Sequence, residues 1–91
     1  MYYTYILQSL KNSSYYIGSC KNIKNRINLH NLGLVRSTKR YTPWKLVYSE
    51  NFESLSGARK RESQIKSWKK RIYIENLIKS RIRDNSGGLV V

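Results

Sequence analysis

Two short aromatic runs, Tyr2 to Leu7 and Tyr15 to Gly18, lie on either side of Ser9-Leu10-Lys11-Asn12-Ser13-Ser14, a segment of turn formers. So little chain between two strand-forming runs leaves them one arrangement, an antiparallel hairpin. On its first strand Tyr3, Tyr5 and Leu7 share a face, because side chains alternate along a strand. The second strand ends at Gly18, where a missing Cβ permits a close approach. Tyr5 and Tyr16 are thereby expected on paired strands.

Asn22 then has the character of a helix N-cap, and Ile23, Ile27, His30 and Leu34 follow at helical spacing. This predicts an amphipathic helix with a histidine on its apolar stripe, ended or interrupted at Gly33. Arg26 and His30 are four residues apart and fall on one helix face. Two phenols, a guanidinium and an imidazole are thus expected around one cleft, a combination suited to phosphodiesters. From Leu34 to Thr42 the chain is polar and basic and reads as a loop. Arg36, Lys39 and Arg40 either contact a phosphate backbone there or sit on a solvated linker.

Pro43 opens a third strand over Trp44 to Tyr48, with Trp44, Leu46 and Tyr48 expected on one face. Ser54 or Ser56 caps a second helix, whose stripe reads Ala58, Glu62, Ile65, Trp68 and Ile72. A last helix from Ile72 to about Ile82 offers Ile74, Leu77, Ile78 and Ile82 for packing. The fold class is α/β, with one domain over residues 1–83 and a disordered tail over 84–91.

Eighteen Lys plus Arg against five Asp plus Glu give a formal charge of +13. That exceeds what solubility requires and favours a polyanionic partner, with DNA first and RNA the lesser alternative. Cations dominate between Arg59 and Arg83, so Arg59, Lys60, Arg61, Lys66, Lys69, Lys70 and Arg71 form either a nucleic-acid track or a solvated helix surface. No run has the length or apolarity of a membrane span, and no signal peptide is visible, so the expectation is no membrane partner and an intracellular, cytoplasmic location, or an organellar one in a eukaryote. Cys20, the single cysteine, has no companion for a disulfide or a metal site and reads as an ordinary small residue.

Two ionisable residues fall on stripes that should be apolar. Carboxylates are almost never buried unless paired or bound to a metal, so Glu62 is either a functional carboxylate or an ion pair at the edge of its stripe. His30 is either a catalyst or a satisfied core histidine. Tyr5 and Tyr16 by themselves fit a core, and Arg26 by itself a solvated cation.

Their order and spacing resemble the GIY-YIG nuclease domain: Tyr3-Thr4-Tyr5, then Tyr16-Ile17-Gly18, then Arg26 and His30. Pro43-Trp44-Lys45-Leu46-Val47-Tyr48, Ala58-Arg59-Lys60-Arg61-Glu62 and Ile65-Lys66-Ser67-Trp68 look like the small stand-alone members related to the excinuclease C N-terminal domain. The resemblance covers roughly residues 2 to 80. It implies a three-stranded antiparallel sheet flanked by about three helices, and DNA cleavage assisted by one divalent metal, Mg²⁺ or Mn²⁺. By the same resemblance Glu62 is the metal ligand and Arg26 the stabiliser of the transition state. Tyr5 is the general base or water-positioner, Tyr16 the second-motif tyrosine, His30 an assistant in proton transfer, and Gly18 the motif glycine. Only the tyrosine of the first motif is kept, since Tyr-Thr-Tyr replaces Gly-Ile-Tyr. The sequence carries no accompanying DNA-recognition domain, so the expected activity is a weakly sequence-specific or structure-selective endonuclease, with a protein partner supplying any targeting. The alternatives are a non-catalytic module for branched DNA or structured RNA, and a small basic RNA- or ribosome-associated protein whose tyrosines are core.

Overall fold

The computed structural model describes the backbone of residues 1–90 and the side chains of residues 1–80. Strands β1 (Tyr2–Ser9) and β2 (Tyr15–Cys20) form the hairpin. Its turn is held by its own polar residues: Ser9 Oγ accepts from the N–H groups of Lys11 and Asn12, and Asn12 Oδ1 accepts from the N–H and hydroxyl of Ser14. Helix α1 (Ile23–Asn31) follows, then a 3-10 turn (Lys39–Tyr41), strand β3 (Trp44–Phe52), and helices α2 (Leu55–Lys66) and α3 (Arg71–Val90). The expected tail, 84–91, lies outside the residues whose side chains are described, as does Ile82.

The sheet is antiparallel with order β2-β1-β3, which places the first strand in the middle and β2 at an edge. Alternation along β1 sends its side chains into two cores. Tyr5 and Leu7 join Cys20 and Trp44 on the α1 side, where Ile23 and Ile27 pack. Ile6 joins Ile17, Tyr48, Ile65 and Ile74 on the other side, where Trp68, Leu77 and Ile78 pack. Full burial of Ile6 and Ile65 contributes about 1.5–3 kcal/mol each. Thr4 points the same way as Ile6 and donates its hydroxyl to the Ala58 carbonyl at 2.6 Å, fixing α2 close to the central strand.

The caps follow the local sequence. Asn22 accepts from the Asn25 N–H, and Ser54, rather than Ser56, accepts from Gly57. At the end of α1, Gly33 has φ +75°, its N–H bonds the His30 carbonyl, and the Leu34 N–H bonds Leu29. This Schellman closure turns the chain away from the helix axis.

Three expectations about faces are overturned. Leu34 is 68% exposed rather than on the α1 stripe, because the helix has already closed. Trp44 and Tyr48 belong to opposite cores: pairing slips between Ile6↔Tyr48 and Leu7↔Leu46, so Val47 is an extra residue that inverts the alternation. Leu46, expected inside with them, is 40% exposed. Ile72 is exposed as well, since α2 stops at Lys66 and α3 starts a new phase at Arg71.

Candidate active site

The site begins with a gap in the sheet. Tyr5 pairs with Gly18, and a Cβ at Gly18 would stand 2.5 Å from Tyr5 Oη, 2.7 Å from Cζ and 3.1 Å from Tyr16 Cε2. The absent side chain is what lets the Tyr5 ring lie across β2. Burial there is nearly complete, at 2% exposure. From α1, His30 meets the ring, with Nε2 3.1 Å from Tyr5 Oη. Tyr16 closes the group: its ring centroid is 4.9 Å from that of His30, 6.3 Å from Tyr5 and 6.3 Å from Trp44. Three residues drawn from two strands and a helix thus share one cluster, as their spacing suggested.

Burial dominates the electrostatics. It pushes the Tyr5 phenol well above the ordinary tyrosine range, helped by Tyr16 and Cys20, and the opposing pull of the Arg26 charge is smaller. The Arg26 charge therefore does not make a phenolate accessible: at neutral pH Tyr5 keeps its proton. His30 is depressed by burial and then by the Arg26 charge, so it is a neutral imidazole. Arg26 itself is exposed on α1.

Glu62 approaches from the opposite face of the sheet. Ser19 Oγ donates to its Oε1 at 2.6 Å and Lys66 Nζ to its Oε2 at 2.6 Å. Ser19 follows Gly18 on edge strand β2, so the carboxylate is tied to that strand one residue from the glycine on which the Tyr5 ring packs. Burial would raise Glu62, but the hydrogen bonds from Lys66 and Ser19 and the charges of Lys66 and Arg59 hold it below the ordinary carboxylate value. The ion pair anticipated for Glu62 thus exists, with the carboxylate side chain still 21% exposed. Its charge acts on Tyr5 as well, raising the phenol slightly. Among the described residues no group of three His, Cys, Asp or Glu could hold a metal ion.

The predicted phosphate-contacting cations divide into two sets. Arg36, Lys39, Arg40, Arg59, Lys60, Lys69 and Lys70 are exposed. Arg61 instead pairs with Glu50 at 3.0 Å and lies over Trp68, Lys66 holds Glu62, and Arg71 pairs with Glu75 and covers Tyr15. Arg36, Lys39 and Arg40 lie on a segment anchored into the site rather than on a free linker, for Thr38 between them is buried and hydrogen-bonds His30 Nδ1 at 2.7 Å.

Ser19 and Thr38 carry no motif of their own, and sequence reasoning passed over both. The signal for Ser19 is its place next to the motif glycine, where alternation turns it to the other face. Asn31 was missed too. Its side chain accepts from the Trp44 N–H and donates to the Trp44 carbonyl, tying α1 to β3 behind His30.

Comparison with known proteins bears on the family and the fold. The sequence model of the GIY-YIG catalytic domain matches residues 1–79. A UPF0213 protein of Syntrophus aciditrophicus is 44% identical over 66 residues, covering 70% of this chain and 75% of the relative. One of Staphylococcus saprophyticus is 43% identical over 68 residues, covering 74% and 82%. The solution NMR structure of a UPF0213 protein from Bacillus halodurans superposes with a TM-score of 0.55 at 31% identity, covering 87% of this chain and 84% of that one.

Proposed function

This chain belongs to the GIY-YIG family, and from that premise we propose that it is a divalent-metal-dependent DNA endonuclease of weak sequence specificity or selective for DNA structure. The observation that carries the reading is the convergence of Tyr5, Tyr16 and His30 over the gap at Gly18, with Glu62 tied to the same strand at Ser19.

The donor set suits a hard cation. Glu62 is an ionised, partly exposed carboxylate, and one carboxylate completed by water and substrate phosphate is the coordination Mg²⁺ accepts. Glu62 is the residue that would hold it. Lys66, half exposed, would have to give up its place on Oε2. When bound, the metal stabilises charge growing on the nonbridging oxygens. Arg26, exposed on the Tyr5 side, acts on the same charge from its guanidinium.

Tyr5 and His30 handle the proton. As water attacks the phosphorus and the P–O bond to the leaving oxygen breaks, the water gives a proton to Tyr5 Oη while the hydrogen of that hydroxyl passes to His30 Nε2. The leaving oxygen takes its proton from solvent. No phenolate forms, which is the species burial opposes most. Tyr16 packs edge-on against His30 and confines its ring.

The test is cleavage of duplex, flapped, branched and single-stranded DNA with Mg²⁺ or Mn²⁺, comparing wild type with Glu62→Ala. Metal-dependent nicking that vanishes in the variant, with binding retained, is the expected result. A second reading, the non-catalytic binding module, draws on both Glu62 oxygens already having protein partners. It gains if neither protein cuts any substrate and both bind equally.

A further inference from the structure

The hydrogen bonds around His30 run further than the pair with Tyr5. His30 Nδ1 lies 2.7 Å from Thr38 Oγ1, and that hydroxyl lies 3.3 Å from the Val35 carbonyl. Three hydrogens have to be accommodated: those of Tyr5 Oη, the imidazole and Thr38 Oγ1. Among the described residues His30 Nε2 is the one hydrogen-bond partner of Tyr5 Oη. If Nε2 carried the imidazole hydrogen, the Tyr5 hydroxyl of the substrate-free protein would be a buried donor with no acceptor among the described residues, which costs about 1–3 kcal/mol. If Nδ1 carries it, every donor is used: Tyr5 donates to Nε2, Nδ1 to Thr38 and Thr38 to Val35. Which nitrogen is protonated is set by the bond the other one makes.

We infer that Thr38 is a positioning residue that fixes His30 as the Nδ1–H tautomer and thereby keeps Nε2 open to receive the Tyr5 hydroxyl. Water cannot readily take its place, because Thr38 is 1% and His30 0% exposed. The residue is itself pinned. Its N–H bonds the Val35 carbonyl, and its own carbonyl accepts from Trp44 Nε1 at 3.0 Å. The basic segment carrying Arg36, Lys39 and Arg40 therefore sets the state of the imidazole from behind, through a residue with no charge of its own. The inference rests on the proton-handling role proposed for Tyr5 and His30 only for its consequence in cleavage. The tautomer is a property of the protein alone.

His30 is the single histidine of the chain, so nitrogen NMR of uniformly ¹⁵N-labelled full-length protein reads it without assignment. At neutral pH and without metal or DNA, wild type should show a protonated Nδ1 and an unprotonated Nε2. Thr38→Val keeps the shape, removes the hydroxyl and should move the population toward Nε2–H, whereas Thr38→Ser should restore Nδ1–H. In the DNA cleavage assay Thr38→Val should lower the turnover rate by about 10²-fold at unchanged DNA affinity, the scale of one misplaced acid–base group, and Thr38→Ser should recover most of it. A wild-type spectrum showing Nε2–H, or an unchanged Nδ1–H spectrum in a folded Thr38→Val, overturns the inference. Should Thr38→Val not fold, the wild-type spectrum together with Thr38→Ser decides it. If wild type cuts no DNA yet shows the Nδ1–H pattern that Thr38→Val abolishes, the nuclease reading fails and the assignment of Thr38 stands.

Discussion

Adding one methyl group at Gly18 tests the site's construction. In Gly18→Ala the new carbon would lie 2.5 Å from Tyr5 Oη and 2.7 Å from Cζ, well inside the roughly 3.5 Å at which such atoms attract. Tyr5 is 2% exposed and enclosed by Tyr16, Cys20 and Trp44, so the ring cannot retreat without disturbing that core. Overpacking of this kind costs about 1–3 kcal/mol. Displacing the phenol also weakens the hydrogen bond to His30, worth about 1 kcal/mol. Replacing glycine within a strand returns roughly 0.5–1 kcal/mol. The net loss is then about 2 kcal/mol, which lowers the Tm of a domain this size by about 8–16 °C. Urea unfolding measures the loss, and a double-mutant cycle with Tyr5→Phe locates it. Removing Oη relieves the shortest contact but not the one at Cζ, so Gly18→Ala should cost about 1 kcal/mol less in the Tyr5→Phe background. A variant within about 0.5 kcal/mol of wild type, or strict additivity with Tyr5→Phe, would refute the reasoning.

Stability should fall on acidification well before the carboxylates titrate. The His30 value is depressed in the fold, so below about pH 6.5 the unfolded chain binds a proton that the native one refuses, and stability declines toward the folded value. Glu62, also depressed, adds its loss below about pH 4.5, and the raised Tyr5 phenol withdraws stability above about pH 10. With one histidine in the chain, a urea midpoint that stays flat from about pH 7.5 to pH 5.5 would contradict a neutral buried imidazole. For binding, replacing Arg59 and Lys60 with alanine should weaken DNA affinity and flatten the dependence of log K on log salt by about one to two. Arg61→Ala should chiefly cost stability, because Arg61 is already engaged by Glu50 and Trp68. Equal salt slopes for wild type and the Arg59/Lys60 double variant would remove α2 from the DNA path.

What the sequence makes legible here is what is local. Strand alternation in β1, the cap at Asn22 and the stop at Gly33 are each decided within about five residues of chain and stand where they were expected, and Ser54 is the one of two candidate serines that caps α2. The faces of β3 were misjudged because the extra residue at Val47 is defined by its pairing with β1, some forty positions away. No periodicity within β3 announces it. Likewise the stripe of α2 cannot be extended to Ile72 across a break whose geometry depends on how α3 packs.

The site divides along the same line. His30 and Glu62 were conspicuous as polar residues on apolar stripes, and both prove to be held at two atoms: His30 by Tyr5 and Thr38, Glu62 by Ser19 and Lys66. The hydroxyls that hold them were not conspicuous, since serine and threonine are unremarkable in a strand end or a basic loop until a partner is brought to them. That difference bears on chemistry. By the family resemblance, Tyr5 is a general base or a water-positioner. In the fold, desolvation outweighs the arginine, and the only described partner of the hydroxyl is an imidazole nitrogen kept free by a bond on its far side. A proton taken at Tyr5 then has one protein atom to go to, and whether that atom is available is decided by Thr38, eight residues beyond the histidine.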